Sequence, residues 1–92
     1  MSLQDSVMTA LKTAMKSKDS VALTALRSIK SAILLARTSG SDVAITEEDE
    51  FKLLQKLVKQ RRDSASIFTD QNRLDLAEPE LAEVEVISQF LP

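Results

Sequence analysis

The sequence predicts an all-α fold, an antiparallel bundle of about four helices of which the third is the longest. Apolar residues recur at helical spacing in four segments, near residues 3–17, 20–38, 46–70 and 73–91. One glycine and two prolines offer little turn chemistry, which favours helices joined by short loops. The 92 residues are enough for one domain with one core, and three Phe without Trp or Tyr make that core mainly aliphatic.

The first two predicted helices form a hairpin. Ser2 and Asp19 are the expected N-caps, since each is a short polar residue that precedes an apolar helical stripe. The turn at residues 17–19 is so short that the second helix must fold back nearly antiparallel on the first. Gly40 is expected just past the second helix as its C′ residue, and residues 39–45 are expected to form the one real loop.

The third helix carries strong N-terminal signals. Thr46 is placed to accept a hydrogen bond from the first turn, and Asp49 is placed to bond back, which together make a capping box. The carboxylates of residues 47–50 meet the positive end of the helix dipole.

The fourth helix is predicted to start at an Asn72 cap, with Asp75 three residues later, and to continue through Pro79 as one kinked helix. Pro79 falls on the predicted outer face, where solvent satisfies the carbonyl that proline leaves without a donor. The alternative is a break at Glu78, with Pro79 in the first turn of a new helix.

Each helix has one apolar stripe that is predicted to face the core. In chain order the stripes are Leu3, Val7, Ala10, Leu11 and Ala14; Val21, Ala22, Ala25, Leu26, Ile29, Ala32, Ile33 and Ala36; Phe51, Leu54, Leu57, Val58, Ala65 and Phe68; and Leu74, Ala77, Leu81, Val84, Ser88 and Leu91.

Arg61 lies in the middle of the apolar stripe of the third helix. A buried guanidinium without a partner would be very costly, so Arg61 is expected to be mostly buried and paired with an acid of the fourth helix. Glu80 is the first choice, because it shares the predicted inner stripe of that helix, and Glu83 or Asp75 is the alternative. This ion pair is interpreted as structural.

The composition removes most catalytic chemistry. The chain has no Cys and no His, and it has no glycine-rich phosphate loop, so no catalytic residue and no cofactor are predicted. The acidic run at residues 47–50 and the acids Glu80, Glu83 and Glu85 are interpreted as dipole partners and structural charges, and no metal site is predicted. No apolar run approaches the roughly 20 residues of a membrane span, and no signal-peptide pattern is seen, so a soluble cytoplasmic protein without a membrane partner is expected.

Charge is unevenly distributed along the chain. Residues 1–62 hold eleven Lys and Arg against seven Asp and Glu, which gives +4, and residues 63–92 hold one against seven, which gives −6; the sum is the net charge of −2. The asymmetry indicates either a basic face for a partner or pairing of the acidic end with the basic middle inside the fold.

Several segments in order resemble the GatB/YqeY family of YqeY-like proteins. They are Met15-Lys16-Ser17-Lys18-Asp19, Leu26-Arg27-Ser28-Ile29-Lys30-Ser31-Ala32-Ile33, Lys59-Gln60-Arg61-Arg62-Asp63-Ser64 with Phe68, Arg73-Leu74-Asp75-Leu76-Ala77, and Glu83 before Phe90-Leu91-Pro92. The chain departs from the family pattern at Asn72, usually a small residue, at Pro79, usually a lysine, and at Phe90, usually a tyrosine.

The resemblance implies that residues 1–92 are a helical N-terminal domain and that a smaller helical C-terminal portion is absent from this chain. The apolar ending at residues 90–92 is interpreted in the same way, as a domain boundary. It further implies a bacterial protein with kinship to the tail of the B subunit of glutamine-dependent tRNA amidotransferase, where the tail contacts tRNA and other domains hold the active sites. Standalone members carry the label of carbon–nitrogen ligases with glutamine as amide donor.

Two functions follow as hypotheses, and a standalone amidotransferase ranks third. The first is a non-catalytic module associated with tRNA, for which a row of cations on the second and third helices is the candidate surface because phosphate contacts need only such cations. Its members are Arg27, Lys30, Lys52, Lys56, Lys59 and Arg62. The second is a scaffold that docks another protein or the absent C-terminal portion through Leu23, Leu34, Leu53 and Ile67.

Overall fold

The computed structural model describes residues 2–38 and 46–92, which form four α-helices and no strand. The helices are α1 (Leu3–Ser17), α2 (Ser20–Thr38), α3 (Glu47–Asp70) and α4 (Leu74–Ser88). The predicted all-α fold is confirmed, and α3 is the longest described helix at 24 residues. The predictions for Gly40 and for the loop at 39–45 lie outside the described residues. None of the four helices is long and apolar enough to cross a membrane.

The bundle is assembled around α2, which packs against α1, α3 and α4. Met8 of α1 shares a cleft with Leu34 and Arg37, so the start of α1 lies against the end of α2. Phe51 near the start of α3 lies beside Phe90, just past the end of α4. The pair α1 and α2 and the pair α3 and α4 are therefore both antiparallel, as the short turn within each pair requires.

Side-chain caps fix the starts of the first two helices. Ser2 Oγ accepts a hydrogen bond from the Asp5 amide at 3.1 Å, and Asp19 Oδ1 accepts one from the Ala22 amide at 3.0 Å. Both predicted caps are confirmed. Each satisfies an amide that the first helical turn leaves without a carbonyl partner.

The predicted capping box at the start of α3 is also present. Thr46 Oγ1 accepts from the Asp49 amide, and Asp49 Oδ2 accepts from the Thr46 amide, both at 3.1 Å. The second bond favours the ionised carboxylate, and together with the Thr46 hydroxyl it lowers the pKa of Asp49 below its ordinary value of 3.8.

Two helices end on a residue with left-handed backbone. Lys18 has φ 56° and Asn72 has φ 58°. The amide of the residue after each donates to a carbonyl in the last turn of the helix. The Asp19 amide donates to the Ala14 carbonyl at 3.0 Å, and the Arg73 amide donates to the Phe68 carbonyl at 2.7 Å. This pattern of bonds is the Schellman motif. The prediction of Asn72 as the N-cap of α4 is therefore wrong, because Asn72 terminates α3. Arg73 occupies the N-cap position without a side-chain cap bond.

The core is aliphatic and draws on every helix. Its buried members are Val7, Leu11, Ala14, Ala25, Leu26, Ile29, Ile33, Leu54, Val58, Ala65, Ala77, Val84 and Ile87. The stripes predicted for α1, α2 and α3 supply ten of these side chains. The stripe predicted for α4 is partly wrong, because Leu74 and Leu81 are exposed whereas Ile87 is fully buried.

A rotation of α4 explains that error. Nearly every side of α4 carries apolar residues. Periodicity therefore does not determine the rotation of α4 about its own axis to better than tens of degrees. The structure turns the side of Ile87 and Glu83 toward the bundle and leaves Leu81 outside. The helix continues through Pro79, which is exposed, so the prediction of one helix is confirmed and the predicted break at Glu78 is absent.

Candidate nucleic-acid interface

Three lysines form a row on the side of α3 that faces away from the core, and we call Lys52, Lys56 and Lys59 the lysine face. All three side chains are exposed, as the helical angle predicts. Lys52 Nζ lies 3.6 Å from Glu48, and Lys59 Nζ lies 2.7 Å from Asp63, each one turn away on the same helix.

The two ion pairs reduce the net charge of the lysine face, but they do not hold the lysine side chains firmly in place. All four side chains are between 62% and 80% exposed, so water and salt screen each pair and its net stabilisation is small. Lys56 has no acidic partner among the described residues. With Glu48 and Asp63 counted, the five charges of this face sum to +1, and a phosphate can replace either carboxylate at little cost.

The other three candidate cations are exposed but lie apart from one another. Arg62 shares with Lys59 a groove between α3 and α4. Arg27 borders an open groove between α2 and α3, beside Arg61. Lys30 lines the cleft between α1 and α2. The six predicted residues are therefore distributed over three grooves and the outer side of α3, and their role in nucleic-acid binding stays a prediction.

Arg61 lies between three helices. Its Nε donates to Glu83 Oε1 of α4 at 3.1 Å, its Nη2 to Ser28 Oγ of α2 at 2.8 Å, and its Nη1 to the Leu57 carbonyl of α3 at 3.1 Å. The side chain is 14% exposed, as is that of Glu83. The interpretation of Arg61 as a largely buried, paired cation matches this geometry.

The first choice of partner, Glu80, is corrected to Glu83, which had been an alternative. Helical side chains lean toward the N-terminus of their helix, and the bond from Arg61 to the Leu57 carbonyl shows that lean. Because α4 runs antiparallel to α3, a lean by one turn moves the guanidinium one turn further along α4. The rotation of α4 then presents Glu83 to it.

Ser28 is the member of this cluster that sequence reasoning missed. Its hydroxyl accepts from Arg61 and donates to the Thr24 carbonyl at 3.0 Å. A serine at the edge of an apolar helical stripe is common and carries no distinctive signal, so only the packing of α2 against α3 reveals its role.

Asp75, the other alternative partner for Arg61, pairs instead with its neighbour Arg73. The contact is bidentate, with Nε to Oδ1 at 3.1 Å and Nη2 to Oδ2 at 3.0 Å. This hydrogen bonding lowers the pKa of Asp75 and raises that of Arg73. In the described parts of the chain, no three His, Cys, Asp or Glu side chains are grouped so as to hold a metal ion.

Comparison with known proteins shows a family match over nearly the whole chain. A sequence model described as Yqey-like protein matches residues 4–92. An uncharacterised protein of Schizosaccharomyces pombe is 33% identical over 90 residues, which is 98% of this chain and 72% of that protein.

Two further relatives are named altered inheritance of mitochondria protein 41, mitochondrial. The protein of Meyerozyma guilliermondii is 43% identical over 84 residues, covering 88% of this chain and 42% of the relative. That of Clavispora lusitaniae is 43% identical over 89 residues, covering 97% and 51%. This chain thus spans about half the length of these relatives.

These names correct two expectations. The cytoplasmic prediction is wrong, because it depended on the lack of a signal-peptide pattern, whereas these relatives are named mitochondrial proteins. The bacterial origin has no support, since the relatives named above are yeast proteins.

Proposed function

The chain belongs to the YqeY-like family, and on that premise we propose that it is a non-catalytic helical module that associates with tRNA through the lysine face of α3. The observation that carries this proposal is the row of three exposed lysines on one side of one helix. A rise of about 1.5 Å per residue places Lys52 and Lys59 within about one Debye length of each other, so the three charges act together on a polyanion.

The chemistry of the chain supports a binding role. Without His or Cys it offers no imidazole and no thiolate, the groups that most often act as base or nucleophile. The resemblance to the amidotransferase tail also supports a binding role. By that resemblance, the module holds tRNA while the amide-forming chemistry takes place in other domains. The names of the relatives extend the proposal to a mitochondrial tRNA.

The test is tRNA binding by the purified chain at several salt concentrations. K52Q/K56Q/K59Q is the test variant, since glutamine keeps helix propensity while the positive charge is lost. The matched control is K12Q/K16Q/K18Q, which removes the same charge from α1 and the turn after it. We expect the test variant to bind more weakly and to lower the salt slope by about 2–3, whereas the control changes both less. Equal loss in both variants, or binding that salt does not affect, would contradict the proposal.

A protein-interaction scaffold is the second candidate, and exposed apolar side chains favour it. Leu34 is 61% exposed and Ile67 is 55% exposed. Leu23 and Leu53, the other two residues predicted for docking, are half-buried against the bundle. If the protein is a scaffold, the variant K52Q/K56Q/K59Q should bind its protein partner with unchanged affinity.

A further inference from the structure

The cleft between α1 and α2 combines an apolar floor with a basic rim. It has a volume of about 70 Å³ and is lined by Gln4, Val7, Met8, Lys30, Ile33, Leu34 and Arg37. Val7 and Ile33 belong to the core, whereas Met8 is 39% exposed and Leu34 is 61% exposed. Met8 and Leu34 are therefore the apolar side chains of the cleft that a partner can contact from outside.

A second exposed methionine lies further along α1, beyond the cleft. Met15 is 60% exposed and lies seven residues after Met8, which places the two within about 20° on the helix. Methionine side chains are flexible and polarisable, and they pack against partners of irregular shape. The hairpin thus presents two exposed methionines on one side of α1, about two turns apart.

The charge of the two helices that form this cleft is mainly positive. Residues 2–38 contain six Lys and Arg against two Asp, which gives +4. Lys30 and Arg37 line the cleft itself, and among the described residues no carboxylate lines it. One of the two acids, Asp19, is engaged in capping α2.

We propose that this cleft is the docking site for an amphipathic helix of a protein partner, a helix with acidic residues beside its apolar stripe. A groove between two packed helices accepts apolar anchors at i, i+3, i+4 and i+7 of a third helix. Met8, Met15 and Leu34 contact those anchors, while Lys30 and Arg37 contact the flanking carboxylates. This proposal extends the scaffold candidate and is independent of the lysine face on α3.

A helix fits this cleft better than RNA does. Phosphates gain nothing from a floor made of Val7, Met8, Ile33 and Leu34, and the chain has no Tyr or Trp on which bases would stack. An acidic helix uses both components of the surface, because its apolar stripe covers Leu34 while its carboxylates meet the rim.

The experiment uses a fluorescent helical peptide with a leucine stripe flanked by glutamates, and the same peptide with lysines in place of the glutamates. Fluorescence anisotropy gives the affinity of the whole chain for each. M8Q/L34Q is the test variant and L74Q/L81Q is the matched control, since both pairs are exposed apolar residues. We expect the glutamate peptide to bind, and M8Q/L34Q to weaken it by about tenfold or more. The control and the variant K52Q/K56Q/K59Q should change it less than about twofold.

Further measurements separate the alternatives. The conservative variant M8L/L34M keeps the apolar surface and should keep the affinity, and thermal melting of M8Q/L34Q should match the parent because both side chains are exposed. Equal binding of the lysine peptide, or unchanged binding by M8Q/L34Q, would overturn the proposal. So would equal weakening of tRNA binding by M8Q/L34Q, which would identify the cleft as an RNA surface, or self-association that the same variant abolishes.

Discussion

Arg61 of α3 is hydrogen-bonded to Glu83 of α4, with Nε 3.1 Å from Oε1 and only 14% of either side chain exposed. The same guanidinium donates to Ser28 of α2, so one cation connects three of the four helices. No other ion pair among the described residues joins two helices; the remaining three each join residues close in sequence. The bundle therefore depends on Arg61 more than on any exposed cation.

We predict that R61A is far more destabilising than R62A. Removal of Arg61 leaves Glu83 largely buried without its cation, which costs about 3 kcal/mol of the free energy of unfolding. Arg62 is exposed, and its loss costs less than about 0.5 kcal/mol. For a domain of this size the first change lowers Tm by more than about 10 °C. Thermal melts followed by circular dichroism measure both, and equal shifts would show that the Arg61 contacts carry no net stability.

A second prediction concerns which acid is coupled to Arg61. Double-mutant cycles with R61A are compared for E83A and E80A by urea denaturation. We expect a coupling energy of about 1–3 kcal/mol for Arg61 and Glu83, and a value near zero for Arg61 and Glu80, which has no hydrogen bond to Arg61. A larger coupling to Glu80 would show that α4 is rotated in solution relative to the structure.

The helices and the N-caps of the first three could be predicted from the sequence because the signals are local. Ser2, Asp19 and the Thr46–Asp49 box each act within one turn, so four consecutive residues contain the whole arrangement. The face of α4 could not be predicted, because its apolar residues surround the helix and only packing against α2 and α3 selects Ile87 over Leu81.

For the candidate interface too, features within one helix could be predicted and the arrangement between helices could not. The exposure of Lys52, Lys56 and Lys59 follows from the helical angle relative to the buried Leu54 and Val58, which sequence periodicity gives. The separation of the remaining cations into different grooves depends on how the helices are placed against one another, and no spacing within one helix contains that information.

A third prediction concerns acid pH. The hydrogen bonds from Thr46 hold the pKa of Asp49 below 3.8, so the ionised form is favoured in the native state. Its contribution to stability is fully present above the unfolded pKa and is lost as pH falls through the lower native pKa. We expect D49N to be less stable than the parent near about pH 7 and to lose less between about pH 4 and pH 2. Urea denaturation across that range measures the difference. The control E85Q, an exposed acid of α4, should follow the parent, and an identical acid profile for D49N would contradict the capping role.

The last prediction concerns the turn between α1 and α2. Lys18 has φ 56° and ψ 37°, a left-handed backbone that costs a residue with a Cβ about 1–2 kcal/mol and costs glycine almost nothing. Glycine also loses more chain entropy on folding, by about 0.5–1 kcal/mol, so K18G should stabilise the protein by about 0.5–1 kcal/mol. N72G should gain less, because asparagine already tolerates this conformation. The matched control is K16G, which places glycine at a helical position of α1 and should cost about 1 kcal/mol. Urea midpoints decide the outcome: if K18G loses as much stability as K16G, the backbone at Lys18 is not left-handed in solution and the hairpin turn is formed in another way.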